Sequence, residues 1–133
     1  MTLFEELIEL LSDDVVIETF QETDRLLHFL VETYPVTRWG RIDWEAVSDK
    51  HVVVSVQEVA GILESNLGGS NDLKVNLLWN YSDAPSIRVS LNQVVKYIDD
   101  VLAVGSDTWI TCPDFSFVIE FFHEGEIVLG FRK

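Results

Sequence analysis

The densest grouping of residues that could move a proton is Glu120, His123 and Glu124, followed by Glu126. A histidine beside a carboxylate can serve as a general base. The surrounding run, Phe117 to Phe122, has the composition of a strand, and on a strand Glu120 and His123 point to opposite faces. His123 and Glu124 then stand at the lip of a turn made with Gly125, where polar groups are needed in any case. The spacing predicts a polar turn, not a catalytic pair. Cys112 is the only cysteine. It precedes Pro113, has no basic residue near it in sequence, and reads as a buried, unreactive thiol. A lone cysteine forms no internal disulfide and no cysteine metal cluster. His28, His51 and His123 fall at no metal-binding spacing, and His28 reads as a histidine at the edge of the core. Asp99 and Asp100 are adjacent on a predicted helix, where neighbours diverge by about 100°. Gly68-Gly69 has no following Lys and Ser/Thr, so it is no phosphate cradle. No catalytic residue, cofactor or metal is expected.

Charge is the strongest global property. Nine Lys and Arg face 23 Asp and Glu, a formal net charge of −14 in 133 residues. Such a field repels nucleic acid and anionic membrane and speeds encounter with a basic protein. The basic residues are scattered, with Arg132-Lys133 the only adjacent pair, so there is no basic stripe for nucleic acid. Apolar residues make up 47%, including eight Phe and four Trp, which excludes a disordered acidic tail. A chain of this length is one domain's worth and is read as a single domain, residues 1–133; it buries roughly two-thirds of its unfolded surface. No apolar run reaches the ~18 residues of a membrane span. The N-terminus lacks the positive flank of a signal peptide, and the expected location is the cytoplasm.

The elements that must position these groups follow from periodicity. Thr2 and Glu5 form a capping box ahead of a helix over residues 3–11. A second helix is predicted from Glu18 to Tyr34, with Phe20, Leu27, Leu30, Val31 and Tyr34 on one face and Pro35 as the stop; Val15-Val16-Ile17 could instead be a short strand. Residues 36–50 fit either a short strand or an irregular loop pinned by Trp39 and Trp44. Ser55 and Glu58 cap a helix over 56–66. Residues 74–81 alternate as a strand, Ser82 to Pro85 turn, and 86–89 return. Ser90 and Gln93 form a third capping box before a helix ending near Val104. The chain closes on a three-stranded meander from Thr108, with turns at Pro113-Asp114 and Glu124-Gly125. The class is α+β: an antiparallel sheet of about five strands packed against three to four helices.

One stretch carries a family resemblance. Trp109-Ile110-x-Cys112-Pro113, then Val118-Ile119-Glu120-x-x-His123-Glu124-Gly125-x-Ile127-x-x-Gly130, resembles the tail of small bacterial immunity proteins. These are the antidotes to contact-dependent growth inhibition and related polymorphic toxins. The resemblance implies a cytoplasmic inhibitor whose partner is the C-terminal domain of a cognate toxin, often a nuclease; it nominates no contact residues. The charge nominates candidates instead. One set is Asp99, Asp100, Asp107 and Asp114, a second is Glu120, Glu124 and Glu126, and a rival is Glu5, Glu6, Glu9, Asp13 and Asp14. Two other function classes stay open. One is a small enzyme or ligand-binding domain with a sheet-based pocket. The other is a DNA-mimic inhibitor, for which the acids are too dispersed outside the N-terminal group. The oligomeric state is not assigned.

Overall fold

The structure, a computed structural model, describes residues 1–11, 15–38, 40–67, 73–80 and 83–132. The described residues form seven strands in one sheet and five α-helices. Helix α1 (Leu3–Leu11) begins at the predicted capping box: Thr2 N donates to Glu5 Oε1 at 3.0 Å and Glu5 N to Thr2 Oγ1 at 3.1 Å. Its buried face is Leu7 and Leu11, flanked by Phe4 and Ile8, while Leu3 and Leu10 face outward. Val16–Ile17 is a short strand, β1. Helix α2 (Phe20–Thr33) starts later than expected because Thr19 caps it, accepting from Glu22 N. The helix stops before Pro35, as predicted.

The phase of α2 differs from expectation. The buried positions are Thr23, Leu26, Leu30 and Tyr34, whereas Phe20 is 65% and Val31 47% exposed. Thr23 takes an inward place because its hydroxyl accepts from Ser86 N at 2.8 Å and contacts Ser86 Oγ at 3.1 Å. A polar residue thus holds the centre of the stripe, and the apolar residues beside it turn outward. His28, read as a core-edge residue, is exposed.

After α2 come β2 (Lys50–Val53), α3 (Val56–Leu67), β3 (Lys74–Asn80) and β4 (Ile87–Ser90). The box at α3 is made, with Glu58 N donating to Ser55 Oγ at 3.3 Å and Val54 N to Glu58 Oε2 at 2.7 Å. The box at Ser90 is not: Ser90 is the last residue of β4, paired with Lys74, and makes no side-chain cap. The helix expected to end near Val104 divides at Tyr97 into α4 (Leu91–Lys96) and α5 (Ile98–Leu102). The division lets α4 lie on β4 while α5 reaches β5, and the Trp79 indole of β3 donates to Val101 O of α5 at 2.9 Å. The predicted stop at Gly68-Gly69 and residues Ser12 to Asp14 lie outside the described residues, as does Trp39.

The meander is β5 (Asp107–Thr111), β6 (Phe117–Phe121) and β7 (Ile127–Phe131). Strand order is β1-β4-β3-β5-β6-β7-β2, with every neighbour antiparallel. The sheet exceeds the expected five strands by β1 and β2, two short strands at opposite edges. The meander is therefore interior, and both of its faces are covered. On one face α1, α3, α4 and α5 pack on Leu77, Trp79, Ile110, Phe117, Ile119 and Phe121. On the other, α2 and residues Ile42 and Val47 pack on Leu78, Trp109 and Val118. Three layers result, and alternation along each strand supplies both cores.

Two tight places fix the meander. In the first turn Phe115 has a φ of 58°, and the Tyr34 hydroxyl donates to its carbonyl at 2.8 Å. Burial pushes that phenol above its ordinary value. In β7, Gly130 lies under the Trp44 indole, and a Cβ there would stand 2.6 Å from the ring. Gly130→Ala should therefore destabilise the fold by about 1–3 kcal/mol through overpacking. Urea unfolding reads the loss, with a change in tryptophan fluorescence because Trp44 must move.

Candidate functional site

Alternation along β6 turns Glu120 toward the α2 layer, beside Trp109 on β5. Over this face passes an irregular segment. Val36 bridges Ile42, Thr37 N donates to Arg41 O at 2.7 Å, Asp43 N donates to Pro35 O at 2.8 Å, and Gly40 turns at a φ of 82°. A one-turn 3₁₀ helix, Trp44–Ala46, follows. The segment delivers three donors to one carboxylate. Arg41 Nε reaches Glu120 Oε1 at 2.6 Å and Trp44 Nε1 reaches the same oxygen at 3.0 Å. Ile42 N reaches Oε2 at 2.9 Å, joined by Trp109 Nε1 at 3.1 Å.

Each oxygen of Glu120 thus accepts two hydrogen bonds, and the residue is 1% exposed. Its lone pairs are engaged, so it is a structural anchor and offers nothing to a partner. Arg41 also pairs with Glu126 and lies 4.1 Å over the Phe122 ring. Burial pulls the guanidinium down, but the bonds to Glu120 and Glu126 outweigh it and hold it above its ordinary value.

The second polar group lies at the same end of the meander. Gly125, at a φ of 97°, makes the β6–β7 turn, closed by Gly125 N to Phe122 O at 2.8 Å and Phe122 N to Glu126 O at 2.9 Å. The turn sets His123 against the first residue of β5. Asp107 Oδ1 accepts from His123 N at 2.8 Å and lies 3.0 Å from His123 Nδ1. Asp107 is buried, while the His123 side chain is 51% exposed and lies against Phe122 with centroids 4.2 Å apart and the rings tilted by 44°. The carboxylate facing His123 is therefore Asp107 and not Glu120.

Such a dyad orients an imidazole, but general-base activation of a nucleophile needs that nucleophile within hydrogen-bond reach. Cys112 is at the other end of β5, where its Sγ donates to Asp114 Oδ1 at 2.9 Å and lies 3.0 Å from Ser116 Oγ. Burial, then the hydrogen bond to Asp114, pushes the thiol above its ordinary value. Among the described residues no three His, Cys, Asp or Glu side chains converge as a metal site.

The seven nominated carboxylates divide accordingly. Asp107 and Glu120 are internal. Asp99, Asp100, Asp114, Glu124 and Glu126 are exposed. Asp114 follows the far end of β5, separated from Asp107 by a strand four steps long, roughly 14 Å at ~3.4 Å per residue. The first set is thus not one patch. Asp114 is held below the ordinary carboxylate range by the Cys112 thiol and then by Ser116, whose N donates to it at 3.1 Å. Glu124 and Glu126 stand together on the β6–β7 turn. Of the N-terminal rivals, Glu5, Glu6 and Glu9 are exposed, and Asp13 and Asp14 lie outside the described residues.

A family model described as CdiI immunity protein EcoliA0-like matches residues 1–130. The chain belongs to this CdiI immunity protein family. The match carries the resemblance seen in the last strands across the three layers, including the segment over Glu120. A CdiI immunity protein is an antidote of contact-dependent growth inhibition, so the partner of this chain is a toxin. No curated protein matches the chain, and no described helix is long and apolar enough to cross a membrane.

Two outcomes follow from the geometry. Glu120→Ala leaves the Arg41 Nε, the Trp44 and Trp109 indoles and the Ile42 amide without their acceptor and should cost about 3–5 kcal/mol in urea unfolding. Cys112 should alkylate only as fast as the protein unfolds, checked by comparing labelling rates with and without subdenaturing urea.

Proposed function

We propose that this immunity protein neutralises a basic C-terminal toxin domain, a nuclease, by meeting it with an acidic surface. It acts as a binder in the cytoplasm of the producing cell and not as a catalyst. The observation that carries this reading is the arrangement at the β6–β7 turn. Arg41 is drawn inward between Glu120 and Glu126, and the turn presents Glu124, Glu126, half-buried Phe122 and half-exposed His123 outward. The exposed Glu124 and Glu126 carboxylates suit a cationic side chain of a partner, which a negative field steers into place. Asp99 and Asp100 on α5 supply a second exposed acidic pair.

The alternative of a pocket built on the sheet is disfavoured by packing: β3, β5 and β6 are covered on both faces, with Val75 to Trp79, Asp107 to Thr111 and Phe117 to Phe121 all buried. Buried Asp107 and Glu120 serve the contact indirectly, by positioning His123 and Arg41.

The test is charge reversal, with Glu124→Lys and Glu126→Lys together compared with Asp99→Lys and Asp100→Lys. Stopped-flow mixing with the toxin domain should show slower association and a shallower dependence on salt for the set that makes contact, with circular dichroism unchanged. Unaltered association in both double variants would sink the electrostatic reading.

A further inference from the structure

The two edges of the sheet are not alike. β1 is two residues long, and the next residue, Glu18, turns its N–H onto Ser86 O at 2.9 Å. β2 is four residues long, and among the described residues no strand pairs with its outer side. Phe131 N donates to Asp49 O at 2.9 Å. In the register of β2 against β7, this makes 49–131, 51–129 and 53–127 the hydrogen-bonded pairs. The N–H and C=O of Lys50 and Val52 therefore point away from β7. Among the described residues no backbone group pairs with them. The amide of Val54 is already held by Glu58.

Edge strands are ordinarily guarded by a lysine, a proline or a bulge. Here the strand's lysine is folded back, with Lys50 Nζ donating to Trp44 O. What remains outside is apolar: Val52 is 72% and Val54 88% exposed. Beside the strand, helix α3 leaves a groove of about 680 Å³ whose walls include His51, Val53 and Ile62. Its floor is open at Gly61, where a Cβ would meet nothing within 4 Å.

The ends of this edge are acidic. Val53 pairs with Ile127, so Glu126 and the Glu124 turn lie beside the Val54 end, together with Glu58. Asp49 stands at the other end with its side chain 58% exposed. A second copy of this chain would bring the same carboxylates and a net charge of −14 against them; a strand with basic ends meets them favourably.

We propose that the free edge of β2 receives an extended segment of the toxin as an eighth strand. That segment is apolar at its centre, where it pairs with Lys50 and Val52 and drops a side chain into the groove over Gly61. It is basic at its ends, where it meets Asp49 on one side and Glu58, Glu124 and Glu126 on the other. Main-chain bonds supply affinity and the alternate side chains supply selectivity. The inference rests on the reading of the chain as a toxin binder and adds the mode of contact.

The probe is the C-terminal domain of the cognate toxin, mixed with the full chain. Val52→Pro removes an N–H that makes no ladder bond to β7, a place where proline is tolerated. It should leave the unfolding midpoint nearly unchanged and weaken the complex roughly tenfold or more, the worth of one or two lost interfacial hydrogen bonds. Gly61→Leu fills the groove from the α3 side, where a Cβ meets nothing within 4 Å, and should weaken the complex similarly, so the test survives if the proline variant folds poorly. In hydrogen exchange, the amides of residues 50 and 52 should gain protection on binding.

A complex that forms as tightly with both variants, with those amides still exchanging freely, overturns the edge contact and leaves the immunity reading standing. No binding by the unaltered chain overturns both. A toxin-free dimer that Val52→Pro converts to monomer puts a second copy on the edge and overturns the proposal.

Discussion

The ion pair between Arg41 and Glu120 is the constraint on which the rest depends. Burying a carboxylate is costly, and a buried pair rarely adds net stability over apolar packing. What it adds here is definition. The described residues of the segment from Val36 to Val47 have one isolated bridge and one turn of 3₁₀ helix, too little regular structure to fix its path. Four donors converging on two oxygens leave it one path. The same contact places Trp44 over Gly130, and so ties the irregular segment to the last strand. One carboxylate in the middle of the meander thereby joins a loop, two indoles and the end of the chain.

That carboxylate also divides the acidic residues into two kinds. Glu120 and Asp107 face inward and are satisfied by protein donors, and each holds a basic group near the surface. Glu124 and its neighbours face outward around those groups. The internal acids set the geometry, and the external ones set the field. A protein with so large an excess of negative charge can thus hold an ordered polar surface at one end of its sheet.

Much of the fold was legible because it is local. The boxes at Thr2 and Ser55, the stop at Pro35 and the alternation of β3 are written in a few adjacent residues. The phase of α2 was not legible, because Thr23 faces inward only when Ser86 is beside it, sixty-three positions away. β1 is too short to show a period at all, and the end of β4 at Ser90 is hidden because a capping box looks the same whether its first residue ends a strand or opens a helix. The functional surface was legible as charge but not as place. Nothing local to Glu120 says that Arg41, seventy-nine positions earlier, will enclose it, and nothing local to His123 points to Asp107. The meander was read correctly as the centre of the fold, and its likeness to immunity proteins extends over the chain.

The strand order carries a consequence for synthesis. β1 and β2 are made early yet sit at opposite edges, separated by strands that are made later. Until β7 is made, β2 has no strand to pair with. The β2 ladder therefore closes last, since its non-local pairing must await β7, whereas β1, β3, β4, β5 and β6 can pair before it. The edge of the sheet that β2 forms is thus completed only with the last strand.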